Sequence, residues 1–340
     1  MVVCCGGPKV VSFLALLSLL KLSSAFRCCY MNPSSKCRDK RLFSSTNLRS
    51  QIHEGDTIMA KPNAACFDDV VRQRYACSRF RKNDAADPQV IKDASEVLDL
   101  SRRAPSGFNA QPYRAILVSS PEAKEKLSKY CIGRNADRVR DSDCTVVFLA
   151  DKEYGREMSR FGQLIRERDA SVVQATNRKP LSNFAIRKIQ AFVLLFSSGY
   201  PLPRFLASPI SFCVRVGVAA VSVLTRRRVL VPSLSSAECW ATKNCMLFAM
   251  SYILGCTSRN LATCPMEGSN AGGIRKALRI PKRFVIPLIV STGKPYASEE
   301  DASDDVGVSH GASHLATSRY PANQVLYQNE FGGEITSITE

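Results

Sequence analysis

An α+β fold is predicted by three features of the sequence. Amphipathic stretches of helical period are present, short continuous apolar runs of strand length lie between them without regular βαβ alternation, and no G-x-G-x-x-G follows any strand-like run. The chain has 340 residues and 45% hydrophobic content, enough for one large domain or two small ones with a proper core.

The first segment reads as an address. Lys9, the apolar run Val10–Leu20 and Leu22-Ser23-Ser24-Ala25 before Phe26 form the pattern of a signal peptide over residues 1–25, with an apolar run too short to span a bilayer. From Arg27 to Ser50 the chain is rich in Arg, Lys and Ser with Asp39 as its one acid, the composition of an organelle transit peptide, here assigned to residues 26–65. Signal and transit in series resemble the two-part presequences of algae whose plastids lie inside the secretory system. The expected destination is therefore a plastid, the alternative being another organelle reached through the secretory pathway, with a mature start between Phe26 and Ala65.

The mature domain is expected over residues 66–335. Phe67, Val70 and Val71 share one face of a short helix, Phe67–Arg74, whose first turn would carry Asp68 and Asp69. Pro88 opens a second helix that keeps its period through Val90, Ile91, Ala94, Val97 and Leu98, up to a break at Ala104-Pro105-Ser106-Gly107. Arg114–Ser119 is strand-like and Pro121–Tyr130 helical. Thr145–Ala150 is a strand buried on both faces, Cys239–Leu254 an apolar helix, and Arg283–Thr292 another buried strand. Trp240, Met246, Phe248 and Met250 are expected as core packing of that apolar helix. Ala271-Gly272-Gly273 precedes a helix but has no strand-like run before it.

Residues 155–237 form an insertion. Within it Phe205–Leu224 is mostly apolar yet contains Pro209 and Arg215 and ends at Arg226-Arg227-Arg228. A charge at mid-span costs about 2.5–3.5 kcal/mol on insertion scales, which disfavours spanning. A lid over a cofactor is the expected role, with contact to a membrane surface through 205–228 as the alternative.

Composition removes other classes. The net charge of +17 is scattered among carboxylates with no zinc-finger, RRM or basic-zipper pattern, so no nucleic-acid partner is expected. Of 14 cysteines, Cys4, Cys5, Cys28, Cys29 and Cys37 fall in the leader, and the remainder show no C-x-x-C pair, which points to a reducing compartment and no structural zinc. His310 and His314 lie in a Gly/Ser/Asp-rich stretch without a third ligand and read as loop, so no metal site is expected.

Four separated segments carry chemistry together. They are Arg74-Tyr75-Ala76-Cys77-Ser78-Arg79-Phe80, Ala104-Pro105-Ser106-Gly107-Phe108-Asn109-Ala110-Gln111-Pro112-Tyr113, Ala262-Thr263-Cys264-Pro265-Met266-Glu267-Gly268, and Thr317-Ser318-Arg319-Tyr320-Pro321. In this order and spacing they resemble the FMN-dependent nitroreductase family, over roughly residues 66–152 and 238–332. The resemblance implies a central, mostly antiparallel sheet flanked by helices, and a homodimer with flavin mononucleotide (FMN) at its interface. The tail after Arg319, with Val325, Leu326, Tyr327 and Phe331, resembles the arm that wraps the partner subunit.

The implied reaction is ping-pong. NADH or NADPH reduces FMN, and the reduced flavin then reduces a nitroaromatic, quinone or similar small acceptor; the alternatives are a flavin-binding relative with dehalogenating or flavin-fragmenting chemistry and a non-enzymatic membrane-attached flavoprotein. No protein acid, base or nucleophile is required, so no catalytic residue is named. The flavin-binding set comprises Arg74, Tyr75, Ala76, Ser78, Ser106, Asn109, Asn135, Arg138, Pro265, Met266, Glu267, Gly268 and Arg319. Planar guanidinium groups at Arg74 and Arg319 suit a phosphate, Asn135 the pyrimidine edge of the ring, and Arg138 the charge that develops there. Pro265-Met266-Glu267-Gly268 is assigned to the N5 face, where glycine permits close backbone approach. Two positions depart from the family pattern: Ser78 and Thr317 stand where relatives often carry a basic residue. Arg79 cannot simply replace it, because neighbouring side chains on an extended backbone point apart.

Overall fold

The structure is a computed structural model that describes residues 62–81, 85–199, 236–295 and 318–333, with isolated positions between 209 and 224. Helix α1 (Pro62–Gln73) starts earlier than its apolar pattern predicts. A proline at the first helical position sets that start, so Asp68 and Asp69 lie mid-helix. Phe67 and Val71 face outward at 59% and 44% exposure, not into the core. Helix α2 (Pro88–Ser101) behaves as expected: the Asp87 carboxylate accepts from the Gln89 N–H at 2.8 Å, Pro88 occupies the first turn, and Val90, Ala94 and Val97 are buried along one stripe.

Strand β1 (Tyr113–Val118) leads to α3 (Pro121–Ser128) and α4 (Arg134–Asp141), followed by β2 (Cys144–Asp151). Helices α5 (Met158–Thr176) and α6 (Asn183–Ser197) come next, then α7 (Ala237–Thr257), β3 (Ala262–Met266), α8 (Ala271–Ala277), β4 (Phe284–Gly293) and the short α9 (Ala322–Val325). The four strands form one sheet in the order β1-β2-β4-β3, and each neighbouring pair is antiparallel. Every residue of β2 is buried because both faces of this inner strand are covered. Val146, Phe148 and Ala150 meet α2 and α7, with Phe248 and Tyr252 of α7 edge-on to Phe148. Val147 and Leu149 meet the opposite layer, with Leu127, Val139 and Ile274.

Helix α7 packs Ala241, Cys245, Phe248, Ala249, Tyr252, Ile253 and Cys256 on the sheet. Its apolar character extends round the helix, so the other side shows Met246, Leu247 and Met250 at 37%, 48% and 44% exposure. Met246 and Met250 are thus surface residues and not the core packing expected of them; Phe248 is core, and Trp240 packs half-buried on Tyr154. Strand β3 also departs from expectation, since it ends at Met266 shortly before Ala271-Gly272-Gly273, which form the first turn of α8. The proline and polar residues of Ala-Thr-Cys-Pro-Met mask its strand character in the sequence.

Within residues 155–237, α5 and α6 are linked through Asp169, which pairs with Arg178 and accepts from the Leu181 N–H at 2.7 Å. Phe161 and Val193 from these helices pack with Tyr154 and Ala110. Most of Phe205–Leu224, with Arg226–Arg228, lies outside the described residues. Where described, Phe212, Val216, Val223 and Leu224 are helical and exposed. Among the described residues no helix is long and apolar enough to cross a membrane. Residues 1–61 of the leader, His310, His314 and Thr317 lie outside the described residues as well, while residues 62–65, assigned to the transit segment, open α1.

Candidate functional site

Beyond α1 the chain runs extended along the outer edge of β3. Ala76 bridges Thr263 in parallel, and the Cys77 N–H donates to the Thr263 carbonyl at 2.8 Å. Cys77 and Phe80 turn inward, at 2% and 1% exposure, while Arg74, Tyr75 and Ser78 are half-buried and Ala76 is exposed. This placement sorts the segment by chemistry. Burial pushes the Cys77 thiol up to about 11 and the Tyr75 phenol up to about 12, so neither is poised as a nucleophile or base at neutral pH.

Asn135 and Arg138 stand three residues apart on α4 and so share a face. The Arg138 Nε–H donates to the Ser78 carbonyl at 3.1 Å and its Nη1 to Asn135 Oδ1 at 2.7 Å. Asn135 Nδ2 in turn donates to the Gly268 carbonyl at 3.1 Å, and the Ile132 N–H reaches the same carbonyl at 3.0 Å. One unbroken chain of bonds therefore joins the segment after α1, the face of α4 and the end of β3, three stretches far apart in sequence. A guanidinium lies against residue 78 after all, delivered from α4 and not from position 78 or 79.

Pro265, Met266, Glu267 and Gly268 are not equivalent. Met266 is 4% exposed and packs in the core, whereas Glu267 is exposed and Gly268 half-buried. A Cβ on Gly268 would come within 2.8 Å of Asn135 Nδ2, so the site is built around the missing side chain.

The second segment lies elsewhere. Ser106 precedes a 3₁₀ turn, Gly107–Asn109, whose Gly107 N–H donates to Asn244 Oδ1 of α7 at 2.7 Å. The Ser106 hydroxyl accepts from the Gln111 N–H at 3.0 Å, and Asn109 is exposed. Phe108, Asn109 and Gln111 all have positive φ, at 60°, 56° and 52°, a left-handed conformation costly for phenylalanine and glutamine. Phe108 sets its ring edge-on to Phe192 of α6 at 5.8 Å. Within one chain this turn thus belongs to the α6–α7 side, and Arg138, Asn135 and Gly268 to the other. Arg319 sits on an exposed segment, residues 318–332, where its Nη1 donates to the Ser318 carbonyl at 3.1 Å.

Sequence reasoning missed Asn244 and Ile132. Asn244 is 6% exposed in an apolar helix, and a lone buried amide is a signal in itself, since buried polar groups require partners. Ile132 offers no such sign in the sequence.

A sequence profile described as the Nitroreductase family matches residues 71–294. The chain belongs to the nitroreductase family. MhqN of Bacillus subtilis, provisionally named an NAD(P)H nitroreductase, is 22% identical over 228 residues, covering 67% of this chain and 88% of that protein. YdgI of the same organism, provisionally named likewise, is 37% identical over 72 residues, 21% of this chain and 34% of its own length. The fold is shared with the provisional nitroreductase ydfN of Bacillus subtilis, with a TM-score of 0.51 and 19% identity, covering 77% of this chain and 98% of that one. It is also shared with a provisional NAD(P)H:FMN oxidoreductase of Staphylococcus epidermidis, at a TM-score of 0.50 and 17% identity, covering 76% and 94%.

Proposed function

We propose that this nitroreductase-family chain is an FMN-dependent NAD(P)H oxidoreductase, acting as a homodimer on a nitroaromatic, quinone or similar small acceptor by a ping-pong cycle. The observation that carries the reading is the bond chain Ser78–Arg138–Asn135–Gly268. It gathers a fixed cation, an amide and a glycine backbone, groups that suit the pyrimidine edge of a flavin. The residues fit the group.

FMN would supply the two-electron relay between nicotinamide and acceptor. The protein's own part is binding and charge. Arg138, held at two points, would keep a positive group at the pyrimidine edge and favour the electron-rich ring. Asn135 would orient that edge, and Gly268 would let the backbone after Pro265 and Met266 approach. Arg74 and Arg319 would hold the phosphate, with Tyr75 and Ala76 lining the same side. Ser106 and Asn109 lie on the α6–α7 side and would reach a flavin across a twofold axis. The exposed Met246, Leu247 and Met250 of α7, together with Val325, Leu326, Tyr327 and Phe331 of the arm, supply apolar surface for such an interface.

An anaerobic titration of the purified protein with NADH and with NADPH, followed at the flavin absorption band, tests the proposal. Bleaching by either nucleotide and recovery on adding a quinone is the expected result. Protein that purifies colourless and takes up no FMN would refute it. Delivery to a plastid is proposed on the leader's composition alone, and imaging a fluorescent fusion of residues 1–65 checks it.

A further inference from the structure

Charges of both signs alternate through most of the chain, but not between Asp169 and Glu238. No acid stands between those residues, whereas Arg178, Lys179, Arg187, Lys188, Arg204, Arg215 and Arg226-Arg227-Arg228 do, so this stretch supplies more than half of the net charge of +17. Helix α6 lies within it. On its outer side Phe184 is 65% exposed, the Lys188 Nζ stands 4.3 Å from the centre of that ring, and Arg187 is exposed. Lys179 is exposed at the turn before α6, and the nearest acid in sequence, Asp169, is paired with Arg178. Beyond α6, Phe212, Val216, Ala220, Val223 and Leu224 are helical and exposed, and they recur at the spacing of one helix face. Phe212, Val216, Val223 and Leu224 show 67%, 51%, 77% and 81% of their surface. A surface helix of a globular protein turns such a stripe toward the core; here it meets solvent.

Charge and apolarity together select what covers this face. A surface without acids repels a second copy of itself. Nucleic acid would engage the arginines and leave Phe184 and the aliphatic stripe in water. An anionic bilayer uses both, because its headgroups attract the guanidinium and ammonium groups while the hydrocarbon just below them takes up the apolar side chains. Arg215 keeps such contact at the surface, since a charge at mid-bilayer is costly. We infer that the outer face of α6, with Phe212, Val216, Val223 and Leu224, docks the protein on a membrane surface rich in anionic lipid. The inference goes beyond the proposed flavin chemistry and needs no bound flavin.

Co-sedimentation with vesicles tests it, using phosphatidylcholine alone and phosphatidylcholine mixed with phosphatidylglycerol. The protein used is cleaved just ahead of Pro62, so every described element from α1 onward is kept and the apolar leader cannot bind lipid itself. It should bind the anionic vesicles about tenfold more tightly than the neutral ones, and less tightly in high salt. Arg187→Ser with Lys188→Ser should weaken binding to the anionic vesicles by about thirtyfold. Val223→Ser with Leu224→Ser keeps every charge and should weaken it by about tenfold. Circular dichroism matching the parent's shows that each variant keeps its fold. Parent protein left in the supernatant with anionic vesicles overturns the inference, as does binding that survives both pairs of substitutions. Binding that falls with the charge pair but not with the apolar pair overturns it as well, because it marks a general polyanion site. Protein that sediments as expected yet takes up no FMN upholds the docking face and refutes the flavin reading alone.

Discussion

A methyl group added at residue 268 tests the site at its tightest point. In Gly268→Ala the new Cβ would stand 2.8 Å from Asn135 Nδ2 and 4.0 Å from the Ile132 Cβ. The second distance is ordinary contact, so the amide alone must yield. As it swings away, its bond to the Gly268 carbonyl, 3.1 Å long, is lost, and Oδ1 withdraws from the Arg138 Nη1 it meets at 2.7 Å. A neutral bond contributes about 1 kcal/mol net and one to a charged group about 1.5–3 kcal/mol. Both residues are half-buried, and water replaces part of what is lost, so the apo protein should lose only about 1–2 kcal/mol of stability. The larger effect falls on the ligand. Arg138 would lose one of its two anchors, and FMN affinity should fall by about tenfold or more.

Thermal unfolding of the apo protein and quenching of FMN fluorescence on binding measure the two effects separately. Asn135→Ala removes the same pair of bonds, so adding it to Gly268→Ala should cost little further affinity. An FMN dissociation constant unchanged by Gly268→Ala, or fully additive losses in the double variant, would refute the reasoning.

Other consequences can be checked in turn. Arg319→Ala should weaken FMN retention by about tenfold to a hundredfold, the worth of a charge-assisted bond; unchanged retention removes Arg319 from the site. Gly273→Ala puts a methyl group into the Tyr130 ring and should cost about 1–3 kcal/mol by overpacking, read as a lower urea midpoint. Asp151 gives a pH dependence. Burial raises its pKa above the usual carboxylate value, although Arg283 at 3.6 Å pulls the other way, and its Oδ2 accepts no hydrogen bond. The folded chain therefore holds this proton more tightly than the unfolded chain. That stabilisation is complete below the unfolded carboxylate pKa, about 3.9, and fades as pH rises through the folded value. Asp151→Asn should lose this dependence, so its Tm should gain on the parent's as pH rises across that window. Parallel Tm profiles would remove Asp151 as the cause.

The sequence made the inner strands legible because burial on both faces leaves an unbroken apolar run, as in Val146–Ala150. It also made α2 legible, since Asp87-Pro88 announces a start and the helical period continues to a Pro-Ser-Gly break. Strand β3 was hidden because its stability comes from neighbours, β4 on one side and the Ala76 segment on the other, and Ala-Thr-Cys-Pro-Met has little strand character of its own. The outward face of α7 was misread for a related reason. Composition reports that Met246 and Met250 are apolar, but only the packed structure tells which side of the helix the sheet covers.

Within the candidate site, hydrogen bonds join Asn135, Arg138 and Gly268, three residues that the family's motifs grouped by resemblance. Those motifs could not reveal that Arg138 would reach the carbonyl of Ser78, because a backbone acceptor is the same whatever residue carries it. The strained turn around Phe108 was likewise invisible, since phenylalanine does not advertise a positive φ.

The extended stretch beside β3 also guards an exposed row of peptide groups. Without it, the last strand of the sheet would present unpaired N–H and C=O groups to any passing chain, the usual start of edge-to-edge aggregation. Pairing of Ala76 and Cys77 with Thr263 closes part of that row. A chain shortened beyond Arg74 would lose that pairing and leave a sticky flank for self-association.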